Sequence, residues 1–336
     1  MAETRIFDAG DVTLQSGQTL HGAVIAYATH GRVNAGKSNV VLCFTPFSAR
    51  HSDCEYFIGA RKAIDPGKHF VVVFDTIGNG LSSSPSNAPS PSGGAHFPNV
   101  SVYDNVQLQR RVLTEVFGVE RIALAFGHSM GAIQTYHWAA LFPDRVERIA
   151  PICGSARTSI HNAAFLDGMR AVLTADPAWQ GGEYDRPPEA GLRALGRAWA
   201  PWPPSQGFYR EEKFKELGFD SLEDFLTGYW ERWCLSLDAN NILSQIWTWR
   251  HADISDNPLY GSNFEDALAA ISARAIVLPS MTDTYFPPED GEYEAAHMPN
   301  AEFRPIPTIW GHWAGSGRNP TDAEFIDRAL KDLMAL

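Results

Sequence analysis

An excess of basic charge is what this sequence most clearly lacks: 27 Lys and Arg stand against 39 Asp and Glu, a formal net charge of −12. Nucleic-acid backbones and anionic membranes both reward clustered Lys and Arg, so neither is expected as a partner. No apolar run approaches the roughly 18 residues of a membrane-spanning helix. The opening MAETRIFDAG shows neither a basic start nor an apolar stretch, and no export signal is expected. Cysteine is scarce: Cys43, Cys54, Cys153 and Cys234 are scattered, form no CxxC and have no metal-ligand spacing. They are expected as free thiols, packed as small hydrophobes, in a reducing cytoplasm. No metal and no organic cofactor is implied. Nucleotide-binding glycine loops are missing as well: neither GHSMGA nor GNGLSS makes G-x-G-x-x-G, and G-x-x-x-x-G-K-[ST] does not occur.

What is present is ordinary globular material. A chain of 336 residues, 44% hydrophobic, can bury a sizeable core as two domains or as one large α/β domain with an insertion. Short continuous apolar runs closed by turn residues recur at 39–47, 69–78, 120–129, 148–155 and 273–283, as expected of strands covered on both faces. Between them lie helical patterns at 102–118 and 131–143, so the fold class is α/β with a mostly parallel sheet. The stretch 11–31 alternates loosely and is expected as antiparallel edge strands. From 156 to 264 the rhythm breaks into segments rich in Trp, Pro and Gly and into helical patterns. This region is predicted to be a helical cap inserted into a core made of 1–155 and 265–336. Trp230, Trp233, Trp247 and Trp249 are expected in the cap's own core, with a substrate wall as the alternative. The Ser/Pro/Gly stretch 82–99 is expected to be a loop.

The chemistry concentrates at Gly127-His128-Ser129-Met130-Gly131, a G-x-S-x-G placed after an apolar strand and before a helix. That context predicts a nucleophile elbow, the flanking glycines leaving room for a tight turn and Ser129 exposed at its tip. A serine hydroxyl is a poor nucleophile near neutral pH. It needs an imidazole to take its proton and a carboxylate to orient that imidazole, in the chain order Ser, acid, His. Asp283 follows the late run AIVLPSMTD, with Glu289 and Asp290 further along; His312 lies in a glycine-bounded loop, with His297 as the nearest competitor in a helical stretch. His128 is expected to point away from the site as packing. An oxyanion hole needs two donors: the Met130 N–H at the helix start, and one from the loop LCFTPFSARH, where Pro46 has no N–H and Phe47 does.

In these residues the chain resembles the homoserine O-acetyltransferases of the α/β-hydrolase fold over nearly its whole length. IAYATHG, NVVLCFTPFSARH, FPNVSVYDNVQLQRRVL, GHSMGAIQTYHWAALFPDRVERI, DANNIL and TDTYFPP carry the likeness. It implies Ser129, Asp283 and His312 as the triad and Phe47 at the oxyanion-loop position. It departs from the family where an acid usually follows the histidine and helps hold the amino-acid acceptor; here Trp313 stands there. A bulky aromatic cannot pair with an ammonium group, and together with the aromatic cap it points to an apolar pocket. The resemblance is therefore closest to the family's short-chain carboxylesterase branch. It implies a small-molecule ester substrate with an acetyl or propionyl group, and a homodimer built through the cap. Acetyl transfer from acetyl-CoA to homoserine is the alternative, and a binding protein without turnover is a third.

Overall fold

Three runs in which every residue is buried form the middle of one sheet: β3 (Val40–Phe44), β4 (Phe70–Phe74) and β5 (Leu124–His128). In the computed structural model, which describes residues 2–335, they are joined by β1 (Arg5–Thr13), β2 (Thr19–His30), β6 (Arg148–Ile152), β7 (Arg274–Val277) and β8 (Ala301–Phe303). The order across the sheet is β1-β2-β4-β3-β5-β6-β7-β8. β1 pairs with β2 and β2 with β4 antiparallel; every later pairing is parallel. The antiparallel edge begins at Arg5 rather than near residue 11. Most of β1 is exposed or half-buried, so its residues carry little hydrophobic signal.

Side chains alternate between two cores, as a strand's period of two requires. Val40, Leu42, Phe44, Phe70, Val72 and Phe74 face one layer; Val41, Cys43, Val71, Val73, Leu124 and Phe126 face the other. The first layer is covered by α1 (Val102–Arg111) and α2 (Met130–Leu141). Ser101 starts α1 by accepting from the Asp104 N–H, while the Asp104 carboxylate accepts from the Ser101 N–H. Every residue of α2 is buried, because it lies between the sheet centre and the helical insertion. The second layer is closed by the helix Pro320–Ala335 through Ile326, Leu330 and Leu333.

Between β6 and β7 the chain leaves the sheet and builds α3 (Ile160–Thr174), α4 (Glu189–Trp199), α5 (Ala239–Arg250) and shorter turns. It departs and returns through a neck. The Thr158 N–H donates to the Ala252 carbonyl at 2.9 Å and the Ile254 N–H to the Ala156 carbonyl at 3.1 Å. Phe165, Trp199 and Trp249 of this insertion belong to the same apolar cluster as the first layer of the sheet. Among the described residues no helix is long and apolar enough to cross a membrane.

Candidate active site

Ser129 sits between the end of β5 and the start of α2 with φ 60° and ψ −124°. For a residue with a Cβ this is a strained conformation, and such strain persists only where the surroundings enforce it. They do so here: the Ser129 N–H is fixed to the Ile152 carbonyl of the next strand at 2.9 Å. A Cβ at Gly127 would lie 2.6 Å from the Gly131 carbonyl group, and one at Gly131 would lie 2.2 Å from the Phe44 carbonyl oxygen. No side chain fits either position without moving backbone. The spacing G-x-S-x-G is thus a packing requirement of the turn that presents the serine.

Asp283 and His312 are paired. The His312 Nδ1–H donates to Asp283 Oδ2 at 2.7 Å. Asp283 Oδ1 accepts the N–H groups of Tyr285 at 2.8 Å and Phe286 at 3.2 Å. Both residues are buried, and the rings of Tyr285 and Phe286 flank the imidazole with centroids 4.9 and 5.6 Å away. The carboxylate thereby sets the tautomer, keeping the proton on Nδ1 and leaving Nε2 able to accept one. The His312 loop is also held by the insertion, since the His312 N–H donates to the Pro203 carbonyl at 2.7 Å. Ser129 and His312 line one cleft. Among the described residues no hydrogen bond joins the serine hydroxyl to the imidazole; contacts of this kind commonly close only around substrate.

The rival residues lie elsewhere. Glu289, Asp290 and His297 belong to α6 (Pro288–His297) and do not line the cleft. His297 is tied to its own helix, its Nδ1 to the Tyr293 carbonyl at 2.8 Å. His128 does not point away as expected. It lines the cleft and packs directly against His312.

After β3 the chain turns through Thr45–Ala49 along the cleft, with Phe47 in its wall. Among the described residues the N–H groups of Phe47 and Met130 have no hydrogen-bond acceptor, and Met130 opens helix α2, where the first amides lack helical partners. The loop's far end is locked by a group that no sequence motif announced. Asp75 Oδ1 accepts the His51 N–H at 2.8 Å and its Oδ2 lies 2.7 Å from His51 Nδ1. That hydrogen bond to Asp75 raises the His51 pKa above its usual value. The pair copies the geometry of Asp283 and His312, yet His51 Nε2 faces the Thr4 hydroxyl at 3.4 Å, away from Ser129.

The cleft holds about 870 Å³, in the range of a pocket for a drug-sized molecule. Much of its wall is aromatic, and Arg50, Asp53 and Arg318 also line it. Trp230, Trp233 and Trp249 line it as well as packing within the insertion, whereas Trp247 stacks on His251 and does not line it. Trp313 lines it too, stacked on Trp230 at 5.5 Å, with the Arg318 guanidinium 4.7 Å from its ring. All four cysteines are free and buried. Among the described residues no cluster of three or more His, Cys, Asp or Glu is arranged to hold a metal ion.

The chain is similar to known proteins. The sequence profile of the family described as alpha/beta hydrolase fold matches residues 49–315. The ethyl acetate hydrolase of Pseudomonas veronii is 38% identical over 326 residues, covering 96% of this chain and 92% of that protein. A crystal structure of the acetyl esterase MekB superposes with a TM-score of 0.96 at 37% identity, over 99% of this chain and 97% of that one. A homoserine O-acetyltransferase of Trichormus variabilis is 26% identical over 313 residues, 89% of this chain and 86% of that protein.

Proposed function

We propose, from the premise that this chain belongs to the alpha/beta hydrolase family, that it is a serine carboxylesterase acting on short-chain acyl esters. Ser129 attacks the ester carbonyl. His312, oriented by Asp283, takes the hydroxyl proton and delivers it to the leaving alcohol. The N–H groups of Phe47 and Met130 stabilise the oxyanion. Water, activated by the same imidazole, then releases the acid from the acyl-enzyme. The observation that carries this reading is the 2.7 Å contact between Asp283 and His312 in the cleft lined by a strained Ser129. An acetyl group is supported by the relatives, an ethyl acetate hydrolase and an acetyl esterase, and a propionyl group is one carbon longer. Trp313, with the aromatic walls around it, favours an apolar ester over a zwitterionic acceptor. We further read the protein as a cytoplasmic homodimer, on its free thiols and its family likeness.

Likeness to the homoserine O-acetyltransferases supports a second reading, in which the same acyl-enzyme passes acetyl from acetyl-CoA to homoserine. Two assays run together separate them. Hydrolysis of a p-nitrophenyl acetate to octanoate series, fastest at the short end, is expected. Release of CoA from acetyl-CoA that rises tens of times on adding homoserine would favour transfer instead.

A further inference from the structure

The loop that carries Phe47 is held from the opposite side of the cleft. Ser48, which follows Phe47, has φ 57°, in the left-handed region that residues with a Cβ rarely adopt. Its N–H donates to Gln245 Oε1 at 2.6 Å. Gln245 lies on α5 of the insertion and is 1% exposed. Its amide nitrogen reaches back to the Ile77 carbonyl at 3.4 Å, so the side chain bridges two core loops from the insertion. The Phe47 ring is likewise enclosed by the insertion, with Trp199 at 5.1 Å, Trp249 at 6.1 Å and Trp233 at 6.4 Å between ring centroids. On the core side, Asn79 Nδ2 donates to the Ala49 carbonyl at 2.9 Å.

We propose that Gln245 is a positioning residue for the oxyanion loop. Its buried carbonyl fixes the Ser48 amide in the left-handed conformation. The peptide plane it fixes lies one Cα from the Phe47 N–H, so it sets where that donor points. The insertion therefore completes the oxyanion hole as well as walling the pocket. This rests on the reading of Ser129 as the nucleophile. A donor aimed at developing charge acts only when it is held in place before the reaction, and an ångström of misplacement removes much of its effect. Because the oxyanion exists in the transition state and not in the bound ester, losing the alignment lowers kcat and kcat/KM together and leaves KM nearly alone.

The test compares Gln245→Met, which keeps the volume and removes the acceptor, with Gln245→Glu, which keeps an acceptor oxygen. Two readouts are taken on the full chain: turnover of p-nitrophenyl acetate, and hydrogen exchange of the Ser48 amide. Gln245→Met is expected to lose about tenfold to a hundredfold in kcat, with KM within about twofold. Ser48 exchange should quicken at least about tenfold in the same variant. Gln245→Glu, which keeps the acceptor for Ser48 but loses the donor to the Ile77 carbonyl, is expected to protect Ser48 better than Gln245→Met does. Unchanged Ser48 exchange in Gln245→Met, or faster exchange with undiminished kcat, would overturn the proposal. So would Ser48 exchange in Gln245→Glu as fast as in Gln245→Met. Absence of ester turnover in the unmodified protein would count against Ser129 as the nucleophile, while the exchange result would still decide whether Gln245 holds the loop.

Discussion

The imidazole of His128 lies against that of His312, with ring centroids 4.6 Å apart, and its Nε2–H donates to the His312 carbonyl at 3.0 Å. His312 is thus gripped at three places: by Asp283 at Nδ1, by the Pro203 carbonyl at its N–H, and by His128 at its carbonyl. Burial, reinforced by the nearby His312, holds the His128 pKa well below the usual histidine range. His128 therefore stays neutral. In the proposed mechanism the imidazolium formed on His312 is therefore not opposed by a second cation in contact with it.

Replacing His128 by Phe keeps a ring of similar size and removes the donor. The His312 carbonyl then loses its partner in a buried setting, which costs about 1–3 kcal/mol of stability. A urea melt should show that loss, together with a fall in kcat. Unchanged stability would mean that the hydrogen bond contributes nothing to holding the loop.

Asp283→Asn preserves shape but exchanges an acceptor for a donor opposite Nδ1. The imidazole is expected to adopt the wrong tautomer, and kcat to fall by roughly 10⁴ with the circular dichroism spectrum unchanged. Near-normal turnover would show that Asp283 does not orient the catalytic imidazole.

Glu294 gives a pH signature in stability. Its Oε1 accepts the Ala156 N–H at 2.6 Å beside the neck of the insertion, and burial pushes its pKa up to about 8. In the unfolded chain a glutamate titrates near about 4.3. Between those values the folded state binds the extra proton, so stability falls as pH rises. Its contribution is full below the unfolded pKa, is lost progressively up to about 8, and is flat beyond. Glu294→Gln should flatten this part of the profile and make the variant relatively more stable at pH 9 than at pH 5. Parallel profiles for the two proteins would show that the carboxyl is ionised in the fold.

Trp313 both walls the cleft and joins the histidine loop to the insertion, stacked on Trp230 and set edge-on to Phe208. Trp313→Ala should cost about 3–5 kcal/mol in stability, as large aromatic truncations in cores do. KM should rise along the ester series, most for the more apolar members. An unchanged KM throughout would remove Trp313 from the substrate wall.

The sheet and the serine were legible because both leave local marks. Buried strands read as continuous apolar runs, and the elbow's glycines are spaced by contacts within one turn. Asp283 and His312 could be located because each closes a strand or a loop in a set chain order. Other groups had no such mark. Gln245 meets Ser48 across 197 positions of chain, and His51 finds Asp75 only because neighbouring strands bring them side by side. Glu294 looks like any polar helix residue until α6 is packed. The direction of His128 is not legible in the sequence because it depends on the bend at Ser129 and on Gly315, whose missing side chain leaves room for the ring; a Cβ there would lie 2.2 Å from it.

The most direct test of the central claim is the rate and site of labelling by a fluorophosphonate, followed by intact mass and peptide mapping. One adduct per chain is expected, on Ser129, abolished in Ser129→Ala and slowed by orders of magnitude in His312→Ala. Labelling at another residue, or an undiminished rate at Ser129 without the His312 imidazole, would contradict it.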